Sequence, residues 1–132
     1  MKEKELGPEH PDVLLSLGNL ASLLGDLGKF DEAESLTRQA LAIRERVLGP
    51  EHPHVAVNLN NLGHLMDRQG RTAEAETLYR RALAILEKAL GPTHWFTGKV
   101  LGNLATLCRA TGRDDEAREL ELRVAETQAG SK

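Results

Sequence analysis

Five histidines, one cysteine and an asparagine recurring at Asn19, Asn61 and Asn103 are the residues of this chain that invite a chemical reading. Three of the histidines, His10, His52 and His94, stand in near-copies of one phrase: LGPEHPDV from Leu6, LGPEHPHV from Leu48 and LGPTHWFT from Leu90. Imidazoles hold zinc when several converge on one ion, as in an HxxxH pair on one helical face or beside companion cysteines. Here one recurring histidine serves each copy, and the HPH at His52 to His54 has neither companion, so no metal is expected. Cys108 has no partner for an internal disulfide and falls on an apolar stripe, which suits a small buried hydrophobe better than a nucleophile. Glu32, Glu74 and Glu116 also recur, each where a helix begins and its dipole favours a carboxylate. No acid, base and nucleophile converge, and no glycine-rich phosphate loop follows a strand. The expectation is a protein without a catalytic centre and without a cofactor.

Composition narrows the partners. Aromatic residues make up 3% of the 132, too few for a β-sandwich or barrel, while 40% hydrophobic and 28% charged content suits small aliphatic packing between helices. A formal charge of −3 offers no long-range pull toward phosphate backbones or anionic lipid, so neither nucleic acid nor membrane is an expected partner. No apolar run approaches the roughly 18 residues that span a bilayer, and the opening MKEKELGPEH lacks the apolar core of a secretion signal. A cytoplasmic location follows as an expectation.

The positions of these residues depend on a repeat. Gly7, Gly49 and Gly91 are 42 residues apart, and at that spacing Asn19, Asn61 and Asn103 coincide, as do Leu20, Leu62 and Leu104, Gly28, Gly70 and Gly112, and Ala33, Ala75 and Ala117. Three copies of one unit, approximately 7–48, 49–90 and 91–129, account for the chain as a single domain, with 1–6 the remnant of a preceding helix, because KEKEL aligns with RERVL at Arg44 to Leu48. Within a unit the apolar residues recur at helical spacing: Val13, Leu17, Leu20, Ala21, Leu24 and Leu27 on one stripe, then Ala33, Leu36, Ala40, Ile43 and Val47 on another. Each unit is therefore two helices. Pro11 and Pro53 suit a first helical turn with a histidine at the cap, Gly28 and its equivalents suit a left-handed reversal, and the alanines let two helices cross closely.

The pattern LxNLxxL…GxxxEAExLxxxAL resembles the tetratricopeptide repeat, and the 42-residue period with ALxIxExxLGPEHPxV between units resembles its kinesin light chain type. Thr37 and Glu121 depart from it, standing where the repeat prefers an aromatic that Tyr79 alone supplies. The resemblance implies an all-α, α-α superhelix of three helix-turn-helix units, whose first helices line a concave groove that binds other proteins. On that groove the first unit presents Leu15, Gly18, Asn19, Ser22 and Asp26, the second Val57, Asn60, Asn61, His64 and Arg68, and the third Lys99, Gly102, Asn103, Thr106 and Arg109. An amide both donates and accepts, so the asparagine ladder suits the backbone of an extended peptide whatever its side chains. Arg68, Lys99 and Arg109 imply that the acidic portion of such a peptide lies over units two and three. The chaperone-tail clamp of the family needs a lysine and an asparagine one turn apart where Gly18 and Ser22 stand.

The start of the chain suggests an alternative role, a self-associating scaffold. With no preceding unit to cover the first helix, an apolar strip of Leu14, Leu17 and Leu24 is expected to be exposed and to support a homodimer.

Overall fold

Residues 11–130 are described by the computed structural model. They form six helices and, among the described residues, no strand: α1 (Pro11–Asp26), α2 (Phe30–Leu48), α3 (Pro53–Arg68), α4 (Thr72–Ala89), α5 (Trp95–Ala110) and α6 (Asp114–Gly130). Each helix packs chiefly on its neighbours in the chain, and α3 also touches α5. Such nearest-neighbour packing makes a solenoid, in which first helices lie beside first helices.

The turns inside the pairs are set by glycine. Gly28, Gly70 and Gly112 have φ near +80° (80°, 78° and 79°), and the next residue donates its N–H five residues back: Lys29 to Leu24, Arg71 to Met66 and Arg113 to Cys108, each at 2.8 Å. This is the Schellman arrangement, which satisfies the last carbonyls of the first helix while reversing the chain. Between pairs the histidines act as caps. His52 Nδ1 accepts the N–H of His54 at 3.0 Å, and His94 Nδ1 accepts that of Phe96 at 3.1 Å. The cap survives in the third unit although Trp95 replaces proline there.

The helices approach closely because small residues line their crossings. Ala33, Ala75, Ala117, Ala40 and Ala82 are fully buried, and the ring of buried Tyr79 lies so close to Gly63 that a Cβ there would sit 2.7 Å from it. Leu62 and Leu104 are both 0% exposed and Cys108 is buried beside them. Burial pushes the Cys108 thiol up, away from the reactive thiolate.

One expectation changes. Leu20, the repeat equivalent of Leu62 and Leu104, is 45% exposed, and Leu23 and Leu27 are 54% and 64% exposed, whereas Leu14 is buried and Leu17 and Leu24 are half-buried. Leu14, Leu17 and Leu24 turn toward α2, so the uncovered strip lies further around the helix. In the later pairs the preceding second helix covers the corresponding face; no described helix does so for α1.

Ion pairs knit the second helices along the outer surface. Arg71 bonds Glu34 at 2.8 Å, Arg80 bonds Glu116 at 2.6 Å, Arg81 bonds Glu45 at 2.6 Å, Arg123 bonds Glu87, and Arg113 grips Glu76 through two hydrogen bonds of 2.7 and 3.0 Å. That grip holds the Glu76 carboxyl down to about 2. A carboxyl whose folded pKa is depressed stabilises fully above its unfolded value near 4.5, and the contribution disappears as pH falls toward 2.

Two outcomes follow. Leu62→Ala should lower unfolding stability by roughly 2 to 5 kcal/mol in denaturant titration, since it empties a fully buried site. Glu76→Gln should melt below the parent at neutral pH, and the gap should close on acidification between pH 4.5 and 2.

Candidate binding groove

The first helices α1, α3 and α5 lie side by side and turn a polar face away from the second helices. Asn19 and Ser22 on α1, Asn61 and His64 on α3, and Lys99 and Thr106 on α5 are exposed on it. Between α1 and α3 this face sinks into a cavity of about 170 Å³, floored by Ala21, Thr37 and Leu65 and rimmed by Ser22, Asp26, Asn58, Asn61, His64 and Arg68. Six of the residues expected on the groove, Gly18, Ser22, Asp26, Asn61, His64 and Arg68, thus meet at one place. An added Cβ at Gly18 or Gly102 would meet nothing within 4 Å, so the backbone of both α1 and α5 lies open.

Electrostatics divide the expected cations. Arg68 Nη1 bonds Asp26 at 3.3 Å across the cavity and stacks over the Phe30 ring at 5.4 Å, so its charge is shared within the molecule. Arg109 turns to α6 instead, where Nε and Nη2 each bond Glu121 at 2.6 Å; that pairing raises the arginine and lowers the carboxyl. Glu121 stands where Tyr79 packs in the second unit, and the bidentate pair fills that end of the molecule with charge. Lys99 has no ion-pair partner among the described residues.

The amides are likewise unequal. Asn60 is buried and accepts a 2.9 Å hydrogen bond from Asn103 Nδ2, which joins α3 to α5 and takes one donor of the third ladder position. Asn58, which the sequence did not mark because Ser16 and Val100 occupy its equivalents, is buried and accepts from Arg44 of α2 at 2.6 Å. Trp95 is exposed with Phe96 half-buried against the core, their rings 5.5 Å apart. Among the described residues no three histidine, cysteine, aspartate or glutamate side chains gather as a metal site. His52 and His54 stack edge-on at 4.8 Å, and burial, then the neighbouring His52 and Arg44, push the His54 pKa down.

A family model described as tetratricopeptide repeat matches residues 1–46, 12–88 and 68–128. The chain is similar to the crystal structure of BtubC (BKLC) from P. vanneervenii, with a TM-score of 0.87 and 28% identity over 98% of this chain and 52% of that one. It is similar also to a Podosopora anserina protein of kinesin light chain type with nearly identical TPR-like repeats, with a TM-score of 0.78 and 31% identity over 99% of this chain and 62% of that one. The chain spans between half and two thirds of the length of these two structures. No curated protein matches it.

Proposed function

We propose that this chain, which belongs to the tetratricopeptide repeat family and within it to the kinesin light chain-like type, binds an extended segment of another protein along the face of α1, α3 and α5. Repeats of this family are generally protein–protein interaction modules on a fold that serves as a non-catalytic scaffold. No described helix is long and apolar enough to cross a membrane.

The observation that carries the groove reading is the asparagine ladder, with Asn19 and Asn61 exposed on the open face and Asn103 half-buried at its far end. First helices about 8 to 10 Å apart and an extended chain advancing about 3.3 Å per residue bring one amide to roughly every third peptide residue. A free amide offers the peptide backbone a donor and an acceptor, which gives binding tolerance of side-chain sequence. Asn103, already bonded to Asn60, retains its carbonyl oxygen and one N–H for the same purpose. Lys99 supplies the charge that orients the segment, its acidic portion lying over α5, because Arg68 and Arg109 are engaged within the molecule.

Screening an array of extended acidic peptides should identify a ligand whose affinity is then followed by fluorescence polarisation. Asn61→Ala should weaken that ligand by roughly 1 to 2 kcal/mol, the cost of an unpaired backbone group, with little change in melting temperature. If Asn61→Ala instead melts the fold as severely as Leu62→Ala while the surviving folded fraction binds as before, the ladder is structural. Lys99→Glu should turn the array preference from acidic toward basic peptides; an unchanged preference would remove Lys99 from the site.

A further inference from the structure

The cavity between α1 and α3 lies where the first pair lacks the aromatic residue of the second. In the second pair the buried ring of Tyr79 fills the space beside Gly63. Their counterparts in the first pair, 42 residues earlier, are Thr37 and Ala21, and a threonine does not reach where a tyrosine does. Both of these small residues line the cavity of about 170 Å³. Gly18 on its α1 wall adds no side chain, and a Cβ there would meet nothing within 4 Å. The space suits one side chain of a ligand.

Asn58 sets the chemistry of that side chain. It is 5% exposed, lines the cavity, and its Oδ1 accepts the 2.6 Å hydrogen bond from Arg44 Nη1. At the next junction the same two places hold Leu86 and Val100, both fully buried and apolar, so the polar pair belongs to this junction. A guanidinium only donates, so the amide is turned with Nδ2 away from Arg44. That Nδ2 has no hydrogen-bond partner among the described residues. No side-chain nitrogen or oxygen among them is sealed away unpaired, so Nδ2 reaches open space, and the opening that Asn58 lines is the cavity.

Behind the amide, half-buried Arg44 has no ion-pair partner among the described residues, and burial pulls its pKa down. His54 near it brings no negative charge. Asp26, the acid on the cavity rim, is answered by Arg68, which lies ten positions, about 15 Å, along α3 from Asn58. Arg44 polarises the amide and makes Nδ2 the stronger donor. A cation in the cavity would be repelled, and an apolar group would leave Nδ2 unpaired. A neutral amide would satisfy Nδ2 but leave the arginine without a counter-charge. A carboxylate does both, with the Ser22 hydroxyl and the Asn61 amide as further donors at the rim. We infer that the cavity takes the side-chain carboxylate of an aspartate or glutamate in the partner segment, bound by Asn58 Nδ2 with Arg44 behind it. The groove reading supplies the source of that carboxylate, and the site adds a second acidic position to the one over α5.

N-acetylglutamate N-methylamide, a side-chain carboxylate without charged termini, probes the site on the 132-residue chain with no peptide sequence assumed. In NMR spectra of the isotope-labelled chain it should shift the Asn58 side-chain amide saturably, and the glutamine and lysine analogues should bind about tenfold more weakly or worse. Asn58→Asp keeps the shape of the side chain and gives Arg44 a carboxylate of its own. It should weaken the glutamate probe about tenfold or more, followed through the Asn61 amide, without lowering the melting temperature. A glutamine analogue that binds as well as the glutamate probe overturns the choice of a carboxylate. An Asn58 amide that none of the three probes moves, or an Asn58→Asp chain that binds glutamate as before, overturns the site. If the glutamate probe binds at Asn58 and no peptide of the array does, the carboxylate site stands and the groove reading fails.

Discussion

A helix pair of this size cannot bury its own apolar surface, and the rest of the molecule is organised by that constraint. Each first helix has three faces: one packs on its own second helix, one is covered in α3 and α5 by the second helix of the preceding pair, and one remains in water. Packing within and between pairs requires helices to approach closely, which is why Ala33, Ala75 and Ala117 recur and why Gly63 lies under the Tyr79 ring of its own second helix. Once pairs stack in this way the third faces of α1, α3 and α5 are brought into a row. The groove is thus a by-product of burial, and its residues are free of packing duty except where Asn60 with Asn103, and Arg68 with Asp26, tie neighbouring first helices together.

Stacking also explains the placement of charge. The second helices lie on the outside, where glutamate and arginine one unit apart meet across each junction, as Glu34 does Arg71 and Glu76 does Arg113. Exposed pairs of this kind individually contribute little in water. Their recurrence instead favours one register, since sliding a pair by a helical turn would separate every arginine from its carboxylate. The histidine caps act between pairs and the glycine reversals within them, both by local means, fixing where helices begin and end.

Much of this was legible in the sequence because the signals are local. Helical periodicity, the glycine reversals and the proline-histidine starts each depend on a few adjacent residues, and their recurrence at 42 residues exposed the architecture. Features that depend on a neighbouring unit were not legible. Leu20 and Leu62 are the same residue at the same place in the repeat, yet one is exposed and the other fully buried, because burial is set by the helix next door. The pairing of Arg68 with Asp26, one repeat apart, required knowing that α1 and α3 lie side by side at that point. Arg109 sits one position out of register with Arg68, which turns it off the groove and onto Glu121. The recurrence of glutamate at 34 and 76 and arginine at 71 and 113 was a signal present in the sequence, but only the superhelical offset between second helices shows that they meet.

The central claim is that the row of amides on the first helices is the surface another protein reads. Its most direct test is a titration of the isotope-labelled chain with a bound peptide, followed through the side-chain amide resonances of asparagine. The account predicts that the Asn19, Asn61 and Asn103 side-chain signals shift together and saturate at one stoichiometry, while Thr77 and other outer positions of α4 stay still. Shifts confined to α2, α4 and α6, with the three asparagine amides unmoved, would contradict it.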